Sequence, residues 1–177
     1  MRSDITRRHF ITTGLAVVGL AALPRAGWAL DDARARKLVE TVVSNINRVI
    51  ASGKSVPGMI SDFESIFNTY ADVNIIARST LGADANRVSA AQMRAFTEAF
   101  RGYIARKYGK RFNEFVGGRI EVNSVKQVKS WHEVKSIAYL RGQSPFEVSF
   151  LVSDRSGKDL FFDMIIEGIS LRLSERT

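Results

Sequence analysis

Apolar residues recur with two different periods along this chain, and the change of period divides it. Leu38, Val39, Val42, Val43, Ile46, Val49 and Ile50 fall at helical spacing behind Asp31 and Asp32, which suit an N-terminal cap, and Ser52-Gly53 closes the run. Ser55-Val56-Pro57 opens a second helix with proline in its first turn, where no amide donor is needed; Ile60, Phe63, Ile66, Phe67 and Tyr70 form its stripe. Asp72 is placed to cap a short third helix through Ile75 and Ile76, stopped at Leu81-Gly82. Ser89 and Gln92 have capping-box spacing and start the longest helix, which the pattern carries to about Phe115, ahead of Gly117-Gly118.

Beyond Gly118 the period is two. Ile120-Glu121-Val122 begins a strand, and residues 132–141 read as a second. Phe146, Val148, Phe150 and Val152 alternate with Glu147, Ser149 and Leu151 as a third. Asp154-Arg155-Ser156-Gly157 is a turn, and Leu160–Ile166 a fourth strand. Glu167-Gly168 reads as a bend, after which Ile169, Leu171 and Leu173 continue on alternate positions. Helices first and strands after predict an α+β fold, with N-terminal helices packed on a curved antiparallel sheet of about four to five strands. No internal repeat, linker or low-complexity stretch interrupts residues 30–177.

The longest helix carries Phe96, Phe100, Tyr103, Tyr108, Phe112 and Phe115, with Met93 and Ile104. Its row of residues spaced by four drifts by about 40° per step, so it covers a broad apolar surface. The strands add Phe146, Phe150, Phe161 and Phe162. Two readings follow. The aromatics form a closed core, or helices and sheet stand apart and line an apolar pocket; the two look alike in a sequence.

Composition narrows the chemistry. Of 177 residues, 45% are apolar, which excludes a disordered chain. Cysteine is absent, which excludes disulfides, thiolate nucleophiles and thiolate metal sites. Histidine occurs only at His9 and His132, too few for most hydrolase or metal-site designs. The formal charge is +8. Arg2, Asp4, Arg7, Arg8 and Arg25 precede residue 30, leaving 22 basic and 17 acidic residues, or +5, for residues 30–177. A basic surface suits nucleic acid, anionic lipid or an acidic protein, so the compartment decides.

Thr6-Arg7-Arg8-His9-Phe10-Ile11 resembles the twin-arginine export signal, with Arg7 and Arg8 as its pair. A mildly apolar run over residues 14–23 follows, too short for a bilayer span of about 20 residues. Gly27-Trp28-Ala29 offers small residues for a cut after Ala29. Residues 1–29 are therefore expected to be a signal peptide and 30–177 the working domain, in the periplasm. Export argues against nucleic acid.

Three blocks carry a family resemblance: Phe67-Asn68-Thr69-Tyr70-Ala71-Asp72-Val73-Asn74-Ile75-Ile76-Ala77-Arg78-Ser79-Thr80-Leu81-Gly82; Phe96-Thr97-Glu98-Ala99-Phe100-Arg101-Gly102-Tyr103-Ile104-Ala105-Arg106-Lys107-Tyr108, with Phe112 following; and Asp163-Met164-Ile165-Ile166-Glu167-Gly168-Ile169-Ser170-Leu171. Together, in this order, they resemble the MlaC or toluene-tolerance family of periplasmic lipid-binding proteins. The chain departs from the family at Ala71, where an aromatic is usual, and at Ala85-Asn86, where a tryptophan-arginine pair is usual. It also lacks a tryptophan near Asp159 and a longer tail after Thr177. The resemblance implies a carrier with no cofactor and a lipid as cargo, either a phospholipid or, as for some members, a hopanoid-like lipid. It also implies an inner-membrane ABC transporter with an MCE domain and an outer-membrane lipoprotein–porin complex as partners.

From stripes and matching blocks, the candidate lipid-binding residues are Phe67, Val73, Ile76, Leu81, Phe96, Phe100, Tyr103, Ile104, Tyr108, Phe112, Val148, Phe150, Phe162, Met164 and Ile166. Arg101, Arg106, Lys107 and Lys110 on the long helix are either a solvated face or a docking surface for anionic headgroups or acidic partners. No catalytic or metal site is expected. The competing reading is a periplasmic enzyme acting on an envelope lipid through carboxylates such as Glu133 and Asp163, but no catalytic motif supports it. His132 beside Glu133 has no nucleophile in its motif and reads as structural.

Overall fold

The computed structural model describes residues 30–176; the expected export signal with Arg7 and Arg8 lies outside the described residues. Helix α1 (Asp32–Ile50) begins where the Asp31 carboxylate accepts the Arg34 amide at 2.8 Å, and it buries Val39, Val42, Val43, Ile46 and Ile50. Helix α2 (Val56–Tyr70) buries Met59, Phe63, Ile66 and Phe67. Asp72 caps α3 (Val73–Thr80) by accepting the Ile75 amide at 3.1 Å. Both bonds of the capping box form at the start of α4 (Ala90–Gly109): Ser89 N–H donates to Gln92 Oε1 at 2.8 Å, and Gln92 N–H donates to Ser89 Oγ at 3.2 Å.

The long helix is shorter than its pattern predicts. It ends at Gly109, and Lys110–Phe115 winds as a 3₁₀ helix. Gly109 lets α4 lie against α2, since a Cβ there would come within 2.8 Å of the Ile60 Cα. Three residues per turn stack i and i+3 directly over each other. Phe112 and Phe115, with ring centroids 6.1 Å apart, and Arg111 and Glu114, 3.7 Å apart, are two such pairs.

Five strands form one antiparallel meander in chain order: β1 (Arg119–Val128), β2 (Trp131–Tyr139), β3 (Phe146–Ser153), β4 (Leu160–Ile166) and β5 (Ile169–Ser170). The predicted α+β class with a sheet of about five strands is what forms. Bulges at Val122/Ser124 and Leu151/Val152 increase local twist and bend the sheet. Val134, Val148, Phe150, Val152, Phe161 and Met164 are buried and share one core with the helices. Helix α1 packs on β1, while α4 packs on α2 and α3.

The end of the chain corrects a second expectation. Glu167-Gly168 is not a bend in a continuing strand but a two-residue reversal, with Ile166 paired to Ile169 across it. Both residues take positive φ, +51° and +81°, the geometry of the tight hairpin turn that matches sheet twist. Leu171 and Leu173 then lie in a short helix, α5 (Leu171–Ser174), capped by the Ser170 hydroxyl. Asp163 holds this return in place. Its carboxylate accepts the Met164 and Arg172 amides at 2.9 and 3.0 Å and the Ser170 hydroxyl at 2.6 Å.

Candidate functional site

Between the 3₁₀ segment and the concave face of the sheet lies a cavity of about 420 Å³. Ile46 of α1 and Phe63 of α2 line it from the helices, with Tyr108, Phe112 and Phe115. Ile120, Phe146, Val148, Phe150, Met164 and Ile166 line it from the strands, and Leu140, Ile169 and Leu171 complete the apolar wall. Arg111, Glu114, Gln143, Glu167 and Ser174 are its polar members. Arg111, Glu114, Gln143 and Glu167 are exposed, which puts them at the mouth.

Aromatic rings form the helical side of the wall. Phe63 meets Phe112 edge-on at 5.1 Å, Phe112 meets Phe115 at 6.1 Å, and Phe115 meets Phe146 at 6.4 Å. The series begins in the core, where Phe67 stacks on Phe63 at 5.9 Å. It ends at the half-buried Phe115 and Phe146. Edge-to-face rings hold one another at these separations without filling the space beside them.

One wall is tied down through Glu175. Its carboxylate accepts hydrogen bonds from Lys107 Nζ at 2.6 Å, Tyr108 OH at 2.7 Å and Tyr103 OH at 3.0 Å, and its side chain is only 4% exposed. Burial alone would raise the Glu175 carboxyl, but the bonds from Lys107, Tyr108 and Tyr103 outweigh it and hold the group below the ordinary carboxylate range. The same contacts keep Lys107 protonated well above the ordinary lysine value, its bond to Glu175 first. Tyr108 is raised too, by burial first and then by Glu175. The cluster fastens the C-terminal turn to α4 beside the cavity-lining Tyr108, Leu171 and Ser174.

Six candidate residues come together in this wall: Tyr108, Phe112, Val148, Phe150, Met164 and Ile166. Nine lie elsewhere. Phe67, Val73, Ile76, Phe100 and Ile104 are buried in the packed core. Phe96 stacks on Phe100 at 5.9 Å, and Leu81 caps the end of α3. Tyr103 is 44% exposed and faces Glu175, while Phe162 lies against Trp131 and the Arg172 guanidinium. The physical reason is that α4 packs on α2 and α3, so only its last turn and the 3₁₀ segment reach the cavity. Ile46, Phe63, Phe115, Ile120, Leu140, Phe146, Ile169 and Leu171 are lining residues that the candidate set lacks. Phe115 and Phe146 were visible as aromatics, but no period marked them as wall.

The basic residues of the long helix divide as well. Lys107 is engaged by Glu175, and Arg101 pairs with Glu98 at 3.1 Å. Neither is a free docking charge. Arg106 and Lys110 are exposed. The carboxylates of the enzyme reading do not face the cavity. Glu133 pairs with Leu151 and Leu151 with Asp163, a row on the opposite face from Val134, Phe150 and Met164. Asp163 is spent on backbone and Ser170 bonds. His132 is buried, with Nε2 3.2 Å from Asp32. Asp72, besides capping α3, accepts the Ser156 hydroxyl. Among the described residues, no group of three His, Cys, Asp or Glu could hold a metal, and no helix is long and apolar enough to cross a membrane.

An MlaC protein family model matches residues 36–177, most of the chain and all of the fold above except the start of α1. The chain belongs to the MlaC family. Its fold is that of a phospholipid-binding protein from Ralstonia solanacearum solved in complex with a phospholipid. The TM-score is 0.70 at 15% identity, covering 80% of this chain and 83% of that one. No curated protein gives a significant sequence match. The MlaC-family resemblance seen in the three sequence blocks is thus confirmed over residues 36–177.

Proposed function

We propose that this MlaC-family protein is a periplasmic carrier that hides the apolar part of a phospholipid, or of a hopanoid-like lipid, in the cavity beside Phe112. It would move that lipid between an outer-membrane lipoprotein–porin complex and an inner-membrane ABC transporter with an MCE domain. The cavity itself carries the reading: it has an apolar wall, a polar mouth and a volume within the roughly 300–1,000 Å³ of small-molecule sites. Each exposed CH₂ costs about 0.8 kcal/mol, so a chain of roughly 16 carbons costs on the order of 12 kcal/mol in water. Unaided escape from a bilayer is correspondingly slow, and a wall of Phe, Ile, Val and Met side chains removes much of that cost. The headgroup stays at the mouth, because burying an unpaired phosphate is expensive. The lipid is cargo, and the reading needs no cofactor.

Filling the cavity tests this. Val148→Trp and Ile166→Trp place an indole where the acyl chain would lie. Native mass spectrometry of protein purified from its own envelope should show bound lipid in the parent and severalfold less in both variants, with circular dichroism unchanged. Full lipid content in a folded variant, or none in the parent, overturns the reading. Export is tested separately by a reporter fused behind residues 1–35, which should reach the periplasm and stay behind when Arg7 and Arg8 are both changed to Lys.

A further inference from the structure

The mouth of the cavity carries one cation and two carboxylates: Arg111, Glu114 and Glu167. Arg111 and Glu114 approach to 3.7 Å, beyond a good hydrogen bond, and both side chains are 59% exposed. The guanidinium therefore keeps its fork of donors for another acceptor. Glu167 makes no ion pair among the described residues. Its backbone sits at φ +51°, a conformation that most residues other than glycine avoid. Its amide donates to the Glu147 carbonyl at 3.1 Å, which fixes the turn. Asparagine is the ordinary choice at this position of such a turn. A residue with a long anionic side chain stands there instead, at the rim of the apolar cavity. Backbone strain kept at a site lining a pocket is an argument for a role in binding.

We propose that this mouth selects zwitterionic phospholipid headgroups, those with a phosphate followed by a primary ammonium, over anionic ones. The inference rests on the carrier reading. With a chain in the cavity, the phosphate is the first polar group to reach the mouth, where Arg111 can donate two parallel N–H bonds to its oxygens. The group beyond the phosphate then meets Glu114 and Glu167. An ammonium has three donors for those carboxylates. A headgroup that ends in hydroxyls leaves the net negative mouth facing a net negative lipid, and like charges repel. Exposed pairs of this kind are weak singly, and one or two together amount to a preference of about fivefold at low salt.

The test is a competition. Purified protein is loaded from vesicles of equimolar phosphatidylethanolamine and phosphatidylglycerol with identical acyl chains, and bound lipid is counted by native mass spectrometry. Phosphatidylethanolamine should exceed phosphatidylglycerol by about fivefold at low salt, and the excess should shrink at 1 M salt, where charges are screened beyond about 3 Å. In the double variant Glu114→Gln with Glu167→Gln the ratio should fall to one or below. Glu98→Gln, on α4 away from the mouth, should leave the ratio where it was. Loading without preference, or a ratio indifferent to the double variant, overturns this inference alone. Loading of neither lipid overturns this inference, and the carrier reading falls with it when protein from its own envelope is also free of lipid.

Discussion

The side-chain amide of Asn47 stands in for a neighbouring strand beside Ile120: its Nδ2 donates to the Ile120 carbonyl and its Oδ1 accepts the Ile120 amide, both at 2.8 Å. Ile120 lies on β1, the edge of the meander, where outward backbone groups have no strand partner. Helix α1 thereby grips the sheet at a residue that lines the cavity, one position from Ile46, which also lines it.

Removing that amide should be costly because it strands two backbone groups at once. Asn47→Ala is expected to lower stability by about 1–3 kcal/mol. Asn47→Asp should cost at least as much, since a carboxylate accepts the Ile120 amide but repels its carbonyl. Urea unfolding with a common m-value measures both. An Asp variant as stable as the parent would show that only the amide acceptor matters.

The Glu175 cluster makes stability depend on pH in a fixed direction. Its carboxyl is held below the ordinary range in the fold, so the cluster's contribution is present above the unfolded value of about 4.3 and fades as pH falls through the lower folded value. Glu175→Gln removes it. The variant should melt lower than the parent at pH 7, and the gap should narrow progressively below pH 4. Lys107 does not alter this window, because its raised value moves its own titration further into alkali. A melting difference equal at pH 7 and pH 3 would assign the loss to packing rather than charge.

The turn at Glu167 predicts a gain in stability. Asparagine tolerates the left-handed backbone conformation, so Glu167→Asn should stabilise the protein by about 0.5–1 kcal/mol. The proposed headgroup preference should fall in the same variant. Thermal melts and the lipid competition read the two effects independently. A lower melting temperature would mean that the Glu167 side chain supports the fold itself.

How far the sequence discloses the fold depends on which interaction sets each element. The stripe of α1 reads correctly because Val39, Val42 and Ile46 all face one partner surface, and the caps at Asp31, Asp72 and Ser89 read correctly because capping is local. The α4 boundary does not. The chain passes from α-helix to 3₁₀ geometry after Gly109, where α4 lies close against Ile60 of α2, a contact across 49 positions that no local period contains. The turn at Glu167-Gly168 is missed because glutamate is a poor signal for a left-handed residue. The cavity is legible only in part for a related reason: Phe100 and Phe112 lie on one row of aromatics, but the first meets helices and the second meets the cavity.

That distinction between core and wall can be measured. Ile104 is fully buried where α4 packs among the helices, and Ile166 lines the cavity. Truncating Ile104 opens a void in close-packed surroundings and should cost about 2–5 kcal/mol. Ile166→Ala enlarges a space that already exists, so fewer packing contacts are lost and the cost should sit at or below the bottom of that range. Lipid should respond in the opposite order. Ile104→Ala should keep its bound lipid under conditions where it stays folded, while Ile166→Ala should bind more weakly, because each wall carbon removed takes apolar contact from the chain. Chemical denaturation and lipid content on the same two preparations give both orders. If the two variants lose stability and lipid in parallel, the cavity and the core are one continuous packing unit, and the wall drawn here has no separate role.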